Sequence, residues 1–172
     1  MAKELAWICG IIPASENQRI VGLCQELNRS VGLPENVFRF PLHISMKKSF
    51  NTNDFEAVRT RLVELLRQHG TLECQTGEVT LHRNMIWLPI VKTPTVLRLH
   101  SMIDELLLKE FSIPQDRFDK DFNPHVSLFT SGDSRLIQEM FEMLKDELRQ
   151  TMSISRFVIG SSGHRDVFYD MG

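Results

Sequence analysis

Apolar residues fall along this chain in alternating strand and helix rhythms. Leu5-Ala-Trp-Ile-Cys-Gly-Ile-Ile12 is a continuous apolar run ended by Pro13, the pattern of a buried strand. From Ser15, a residue type suited to an N-cap, Ile20, Leu23, Cys24 and Leu27 recur at helical spacing to about residue 29. Gly32 and Pro34 break the chain, and a loop with Arg39 and Phe40 leads into a strand at residues 41–50. Asn53 or Asp54 can cap a second helix, with Phe55, Val58, Leu62, Leu65 and Leu66 on its apolar face and Gly70 as its stop. Strand patterns at residues 72–81 and 85–91 flank a hairpin at His82-Arg83-Asn84. The order then recurs. A helix from residue 95 to about 110 is followed by a break at Ile113-Pro-Gln-Asp116 and a strand around His125. A helix capped by Asp133 or Ser134 and strands at residues 152–159 and 166–169 close the chain.

The recurrence has echoes at single residues. Leu33-Pro-Glu-Asn36 matches Ile113-Pro-Gln-Asp116, Phe38 matches Phe118 and Trp7 matches Trp87, each pair 80 apart. After a two-residue shift, His43-Ile-Ser45 matches His125-Val-Ser127 and His82-Arg83 matches His164-Arg165, each 82 apart. An internal duplication of about eighty residues accounts for this register. It predicts an α+β fold, a single bilobal domain over residues 1–172 with pseudo-symmetric lobes at about 1–82 and 83–172. Each lobe is expected to carry an antiparallel-type sheet lining a central cleft, with helices outside.

Candidate chemistry lies in the two matched strands. Successive side chains of a strand point to opposite faces, so His43 and Ser45 share one face while Ile44 and Met46 share the other. The same parity pairs His125 with Ser127 and opposes Val126 and Leu128. An imidazole titrates near about 6.5, so facing histidines can divide the work of base and acid while hydroxyls donate to a phosphate. By parity, Lys47 either adds charge to this pocket or ends the strand in solvent, and Phe129 either stacks on a base or fills the core. Arg39, just before the first motif, is within chain reach of a phosphate there. His82-Arg83 and His164-Arg165 fit solvated turns, His69 and His100 fit helix surfaces, and Trp7 and Trp87 fit core or cleft wall.

Composition narrows the field. Apolar content of 42% with 24% charged residues is that of a globular chain. A net charge of −2 and a pI near 6.3 argue against a large nonspecific nucleic-acid surface. The apolar run at residues 5–13 is too short to span a membrane and lacks a signal-peptide cleavage pattern. Cys9, Cys24 and Cys74 are scattered and without CxxC spacing, as expected of buried thiols in a reducing cytoplasm. Neither paired cysteines nor HExxH occurs, so no metal or cofactor is expected.

The paired motifs His43-Ile44-Ser45-Met46 and His125-Val126-Ser127-Leu128, the second preceded by Asn123-Pro124, resemble those of the 2H phosphoesterase superfamily. That superfamily includes bacterial 2′-5′ RNA ligase-like proteins and cyclic nucleotide phosphodiesterases. The resemblance implies that His43 and His125 are the acid–base pair, that Ser45 and Ser127 grip the phosphate, and that no metal is needed. It implies a phosphodiesterase acting on a cyclic phosphate or a 2′-5′ or 3′-5′ linkage. The partner would be a small nucleotide, a cyclic nucleotide or a short RNA. Lys47-Lys48-Ser49-Phe50 and Thr130 depart from the apolar run and the arginine expected after the two motifs. A nucleotide- or RNA-binding module without turnover and an RNA-end ligase are the competing readings.

Overall fold

The computed structural model describes residues 4–162 and the backbone of 164–170. In order, it contains β1 (Glu4–Ile11), α1 (Ala14–Val31), a 3₁₀ turn (Asn36–Arg39), β2 (His43–Thr52), α2 (Phe55–His69), β3 (Leu72–Gln75), β4 (Thr80–His82) and β5 (Met85–Pro89). There follow α3 (Pro94–Phe111), α4 (Arg117–Lys120), β6 (His125–Thr130), α5 (Ser134–Leu144), β7 (Thr151–Ile154), β8 (Arg156–Ser161) and β9 (His164–Asp170).

Local chemistry accounts for most boundaries. The Asp54 carboxylate accepts from the Ala57 N–H at 3.0 Å, and Asp133 accepts from the N–H groups of Arg135 and Leu136. Gly32 and Gly70 end α1 and α2 at φ +79° and +74°, a region that glycine enters without a Cβ clash. Ser15 does not cap α1. The helix begins one residue earlier, after Pro13, and the Ser15 hydroxyl bonds the Glu16 carboxylate. The short helix α4 stands where a loop was expected, closed by reciprocal bonds in which Asp116 and Asp119 each accept the other's N–H.

The strands form antiparallel sheets ordered β2-β1-β8-β9 and β4-β5-β6, with a β3-β7 ladder. A bridge between Thr76 and Ile90 joins that ladder to the end of β5. Two expected strands are each divided. Residues 72–81 separate into β3 and β4, and residues 152–159 separate at Ser155 into β7 and β8. Each half takes a different partner: β3 pairs with β7, β4 with β5, and β8 with β1. The sheets are therefore not confined to the sequence halves 1–82 and 83–172. Helix α1 packs on α5 and α2 on α3, and one buried apolar cluster runs from Ala6 to Ile159 through both sheets.

Both motif strands carry a bulge at equivalent places. Cys9 pairs with Ser45 but Ile8 pairs with Lys47, and Trp87 pairs with Ser127 but Ile86 pairs with Phe129. Met46 and Leu128 are thus the extra residues, and each reverses the strand's in–out alternation beyond it. The pairing also corrects the register of the duplication. Opposite the two motifs stand Cys9 and Trp87, and likewise Ile11 and Pro89, so Trp7 is not the counterpart of Trp87.

Candidate active site

His43 and His125 open β2 and β6, two strands that approach one another. Their approaches are built alike. The Ile12 N–H donates to the Leu42 carbonyl at 2.9 Å, and the Ile90 N–H donates to the Pro124 carbonyl at 2.9 Å. Each motif thus begins with its preceding peptide tied to the neighbouring strand. Behind the polar face, Ile44, Met46, Val126 and Leu128 are buried, which holds each strand flat against the core. Ser45 and Ser127 are half-buried on the same faces as their histidines.

The rings are oriented by matching hydrogen bonds. His43 Nδ1 lies 3.1 Å from the Pro41 carbonyl oxygen and His125 Nδ1 lies 2.8 Å from that of Asn123. A carbonyl only accepts, so each Nδ1 carries a proton and each Nε2 is the lone-pair nitrogen of the neutral ring.

The two environments differ. His43 is exposed, whereas His125 is half-buried against Trp87, ring centroids 3.8 Å apart and planes inclined by 17°. Trp87 in turn stacks on His82 at 4.1 Å. Burial holds the His125 pKa below the ordinary imidazole value. The nearby His82 and His43 act in the same direction, against the Asn123 carbonyl. His82 is therefore not merely a solvated turn residue; it extends the stack that backs His125. Its neighbour Arg83 occupies the positive-φ hairpin position, and the side chains of His164 and Arg165 lie outside the described residues. Arg39 is exposed at the end of the 3₁₀ turn.

Lys47 and Phe129 each follow a bulge: Phe129 takes the core position, one of its two readings, and Lys47, although part of it lines the cleft beside His43, turns its ammonium inward. The Lys47 ammonium is buried between Asp104, at 2.8 Å, and Asp119, which take its charge. Phe129 is fully buried and meets Phe38 edge-to-face at 5.2 Å. His100 is likewise no surface residue. Its Nδ1 lies 2.9 Å from the Met46 carbonyl, its Nε2 lies 3.2 Å from the Asp119 carbonyl, and its ring stacks on Phe122 at 3.7 Å. This cluster links the bulge of β2 to the segment leading into β6. The sequence held a signal for it, since His100 and Asp104 sit beside Leu99, Ile103 and Leu107 on the apolar stripe of α3. His100, Asp104 and Asp119 bring ligand atoms within 4.8 Å of one another, yet the cation between the two carboxylates is Lys47 itself.

A cavity of about 290 Å³ opens at His43 and Ser45, walled by Trp7 and Phe40 and floored by Cys9 and Ile11. A larger depression of about 540 Å³ runs along residues 49–54 and 111–114, beyond Lys47, and contains neither motif histidine.

No curated protein matches this sequence. Solved structures match its fold. Escherichia coli LigT complexed with 3′-AMP is 12% identical with TM-score 0.62, covering 98% of this chain and 95% of that one. TT0787 of Thermus thermophilus is 14% identical with TM-score 0.61, covering 98% and 95%. Kluyveromyces marxianus Usb1 is 12% identical with TM-score 0.55, covering 96% and 97%. At such identities the likeness is one of architecture, and it extends over nearly the whole chain. The family model of the 2′-5′ RNA ligase superfamily matches residues 16–166, a span that holds both His-x-Ser strands. The chain belongs to this superfamily, the 2H phosphoesterases.

Proposed function

We propose that the chain is a metal-independent phosphodiesterase that opens a cyclic phosphate or cleaves a 2′-5′ or 3′-5′ oligonucleotide linkage through His43 and His125. The observation that carries this reading is the matched pair of Nδ1–carbonyl bonds, which leaves an Nε2 on each strand for proton transfer. Burial favours the uncharged form of His125, which makes it the base. In hydrolysis, His125 Nε2 takes a proton from water as the water oxygen bonds to phosphorus. His43 Nε2–H gives a proton to the ribose oxygen as its bond to phosphorus breaks. The Ser45 and Ser127 hydroxyls donate to the non-bridging oxygens, where negative charge grows in the transition state.

The substrate would be a small nucleotide, a cyclic nucleotide or a short RNA. LigT has been crystallised with 3′-AMP, which supports a nucleotide in the corresponding cleft here. A net charge of −2 does not favour a long polyanion. Among the described residues, no helix is long and apolar enough to cross a membrane.

Turnover of 2′,3′-cyclic mononucleotides, 2′-5′ and 3′-5′ dinucleotides and cyclic oligonucleotides in EDTA tests the reading. Activity is expected to persist in the chelator with at least one of these bonds. Tight binding of the panel with no turnover would instead identify a binding module.

The environment of His125 gives the pH profile a sign. A base must be uncharged, so kcat/KM rises as pH rises through the His125 pKa. With that pKa lowered, the acid limb falls below the ordinary imidazole value of about 6.5. His82→Ala removes a like charge and part of the cover over the stack, and both changes make protonation of His125 easier. The acid limb should move to higher pH in that variant. An unmoved limb would mean that His82 does not act on the base.

A further inference from the structure

The two motif strands are near-equivalent, yet the ground beside them is not. Cys9 stands opposite Ser45 in the same register as Trp87 opposite Ser127. The outer neighbours also correspond, since Cys9 pairs with Val158 on β8 and Trp87 pairs with Thr80 on β4. In one lobe the indole fills the space beside the histidine and stacks on its ring. In the other, a small thiol stands in the indole's place, and the 290 Å³ cavity opens there.

We propose that this cavity is the nucleobase subsite, so that the substrate carries its base on the His43 side and presents only phosphate and sugar to His125. This assignment rests on the phosphodiesterase reading. The lining is that of a slot for a flat, uncharged ring. Cys9, Ile11 and Val158 form a buried apolar floor. Trp7, two residues before Cys9 and on the same strand face, stands as one aromatic wall. Phe40 is the other, and it is 67% exposed although nothing in the core requires a large apolar ring there. A base stacks on such rings whatever its identity, because every base has a π-face.

Size and position agree. The volume is just below the range of about 300–1,000 Å³ usual for small-molecule clefts, enough for one nucleoside rather than two. His43 and Ser45 line the same cavity, so a base within it places its own ribose oxygens beside His43 Nε2. That is the oxygen to which His43 returns a proton. Lys48 and Ser49 form the polar end, and Lys47, which also lines the cavity, spends its charge on Asp104 and Asp119.

The test compares a nucleoside 2′,3′-cyclic phosphate with ribose 2′,3′-cyclic phosphate, which lacks the base. The unaltered chain is expected to favour the nucleoside by roughly 10-fold or more in kcat/KM, the scale of one base–aromatic stack. Cys9→Trp, which builds the other lobe's arrangement into this one, should bring that ratio toward one. Phe40→Ala alters an exposed ring and should lower the same ratio even if the tryptophan variant does not fold. A ratio that survives both replacements overturns the subsite, as does a ratio near one in the unaltered chain. If neither ester turns over, the phosphodiesterase reading fails by itself. Equilibrium binding of a nucleoside 3′-monophosphate against ribose 3-phosphate, in the same variants, then decides the subsite by the same ratio.

Discussion

Alanine at either His43 or His125 is expected to lower turnover by roughly 10²–10⁴-fold, the usual contribution of a positioned general acid or base. The losses should be alike in size because each ring serves one half of a single displacement, and removing both should cost little more than removing one. Neither change should disturb the fold much. His43 is exposed and His125 half-buried, and among the described residues both rings hydrogen-bond only to carbonyls two residues upstream in their own loops. Kinetics on the bond identified in the substrate panel, with circular dichroism as a control for folding, make the comparison. A variant that keeps turnover within a few-fold would remove that histidine from the mechanism.

Lys47→Met should produce the largest loss of stability. The substitution keeps most of the apolar stem and deletes the ammonium, leaving Asp104 and Asp119 face to face in a region closed to water. Their remaining partners are fewer than two carboxylates need: Gln115 Nε2 at 2.9 Å and His100 Nε2 at 3.4 Å from Asp104, and the Asp116 N–H at 2.8 Å from Asp119. Breaking a buried pair by removing one member costs about 3–5 kcal/mol, much of it the isolated charge rather than the lost attraction. The folded state should therefore yield at a markedly lower urea concentration. Adding Asp104→Asn and Asp119→Asn, which remove the stranded charges, should recover part of the loss. If Lys47→Met unfolds at the unaltered midpoint, the cluster does not hold the fold.

How much could be read beforehand depended on the range of the interaction. The helices were legible because their signals are local: an aspartate cap at Asp54 or Asp133, a glycine stop at Gly70, an apolar stripe between them. The motif histidines were legible because parity holds over three residues, and His43, Ser45, His125 and Ser127 keep the faces it assigns. Parity failed one step further on. A bulge is set by the partner strand, and nothing within β2 or β6 marks Met46 or Leu128 as the extra residue. The bulges thus decided between the two readings of Phe129, in favour of the core, and set the Lys47 ammonium against Asp104 and Asp119, which neither of its readings foresaw. The divided strands failed similarly, since β-propensity says that residues 152–159 extend but not that Ser155 passes them from one sheet to another. His82 was missed because a hairpin turn reads as solvent, and only the third dimension brings Trp87 between it and His125.

The crossing of the chain at Ser155 bears on how the molecule comes into being. Strand β1 is central in its sheet, with β2 on one side and β8 on the other, and Cys9 meets Val158 there. A chain made from its N-terminus holds the β8 side of β1 open until Arg156–Ser161 have been added. The contact that closes the sheet is among the longest-range in the molecule, and such contacts are formed slowly because the intervening loop must be ordered first. The duplicated halves, alike in their motifs, are thus not independent folding units. The strand that sets Cys9, and with it the floor beside His43, is secured by a strand from the other half of the duplication.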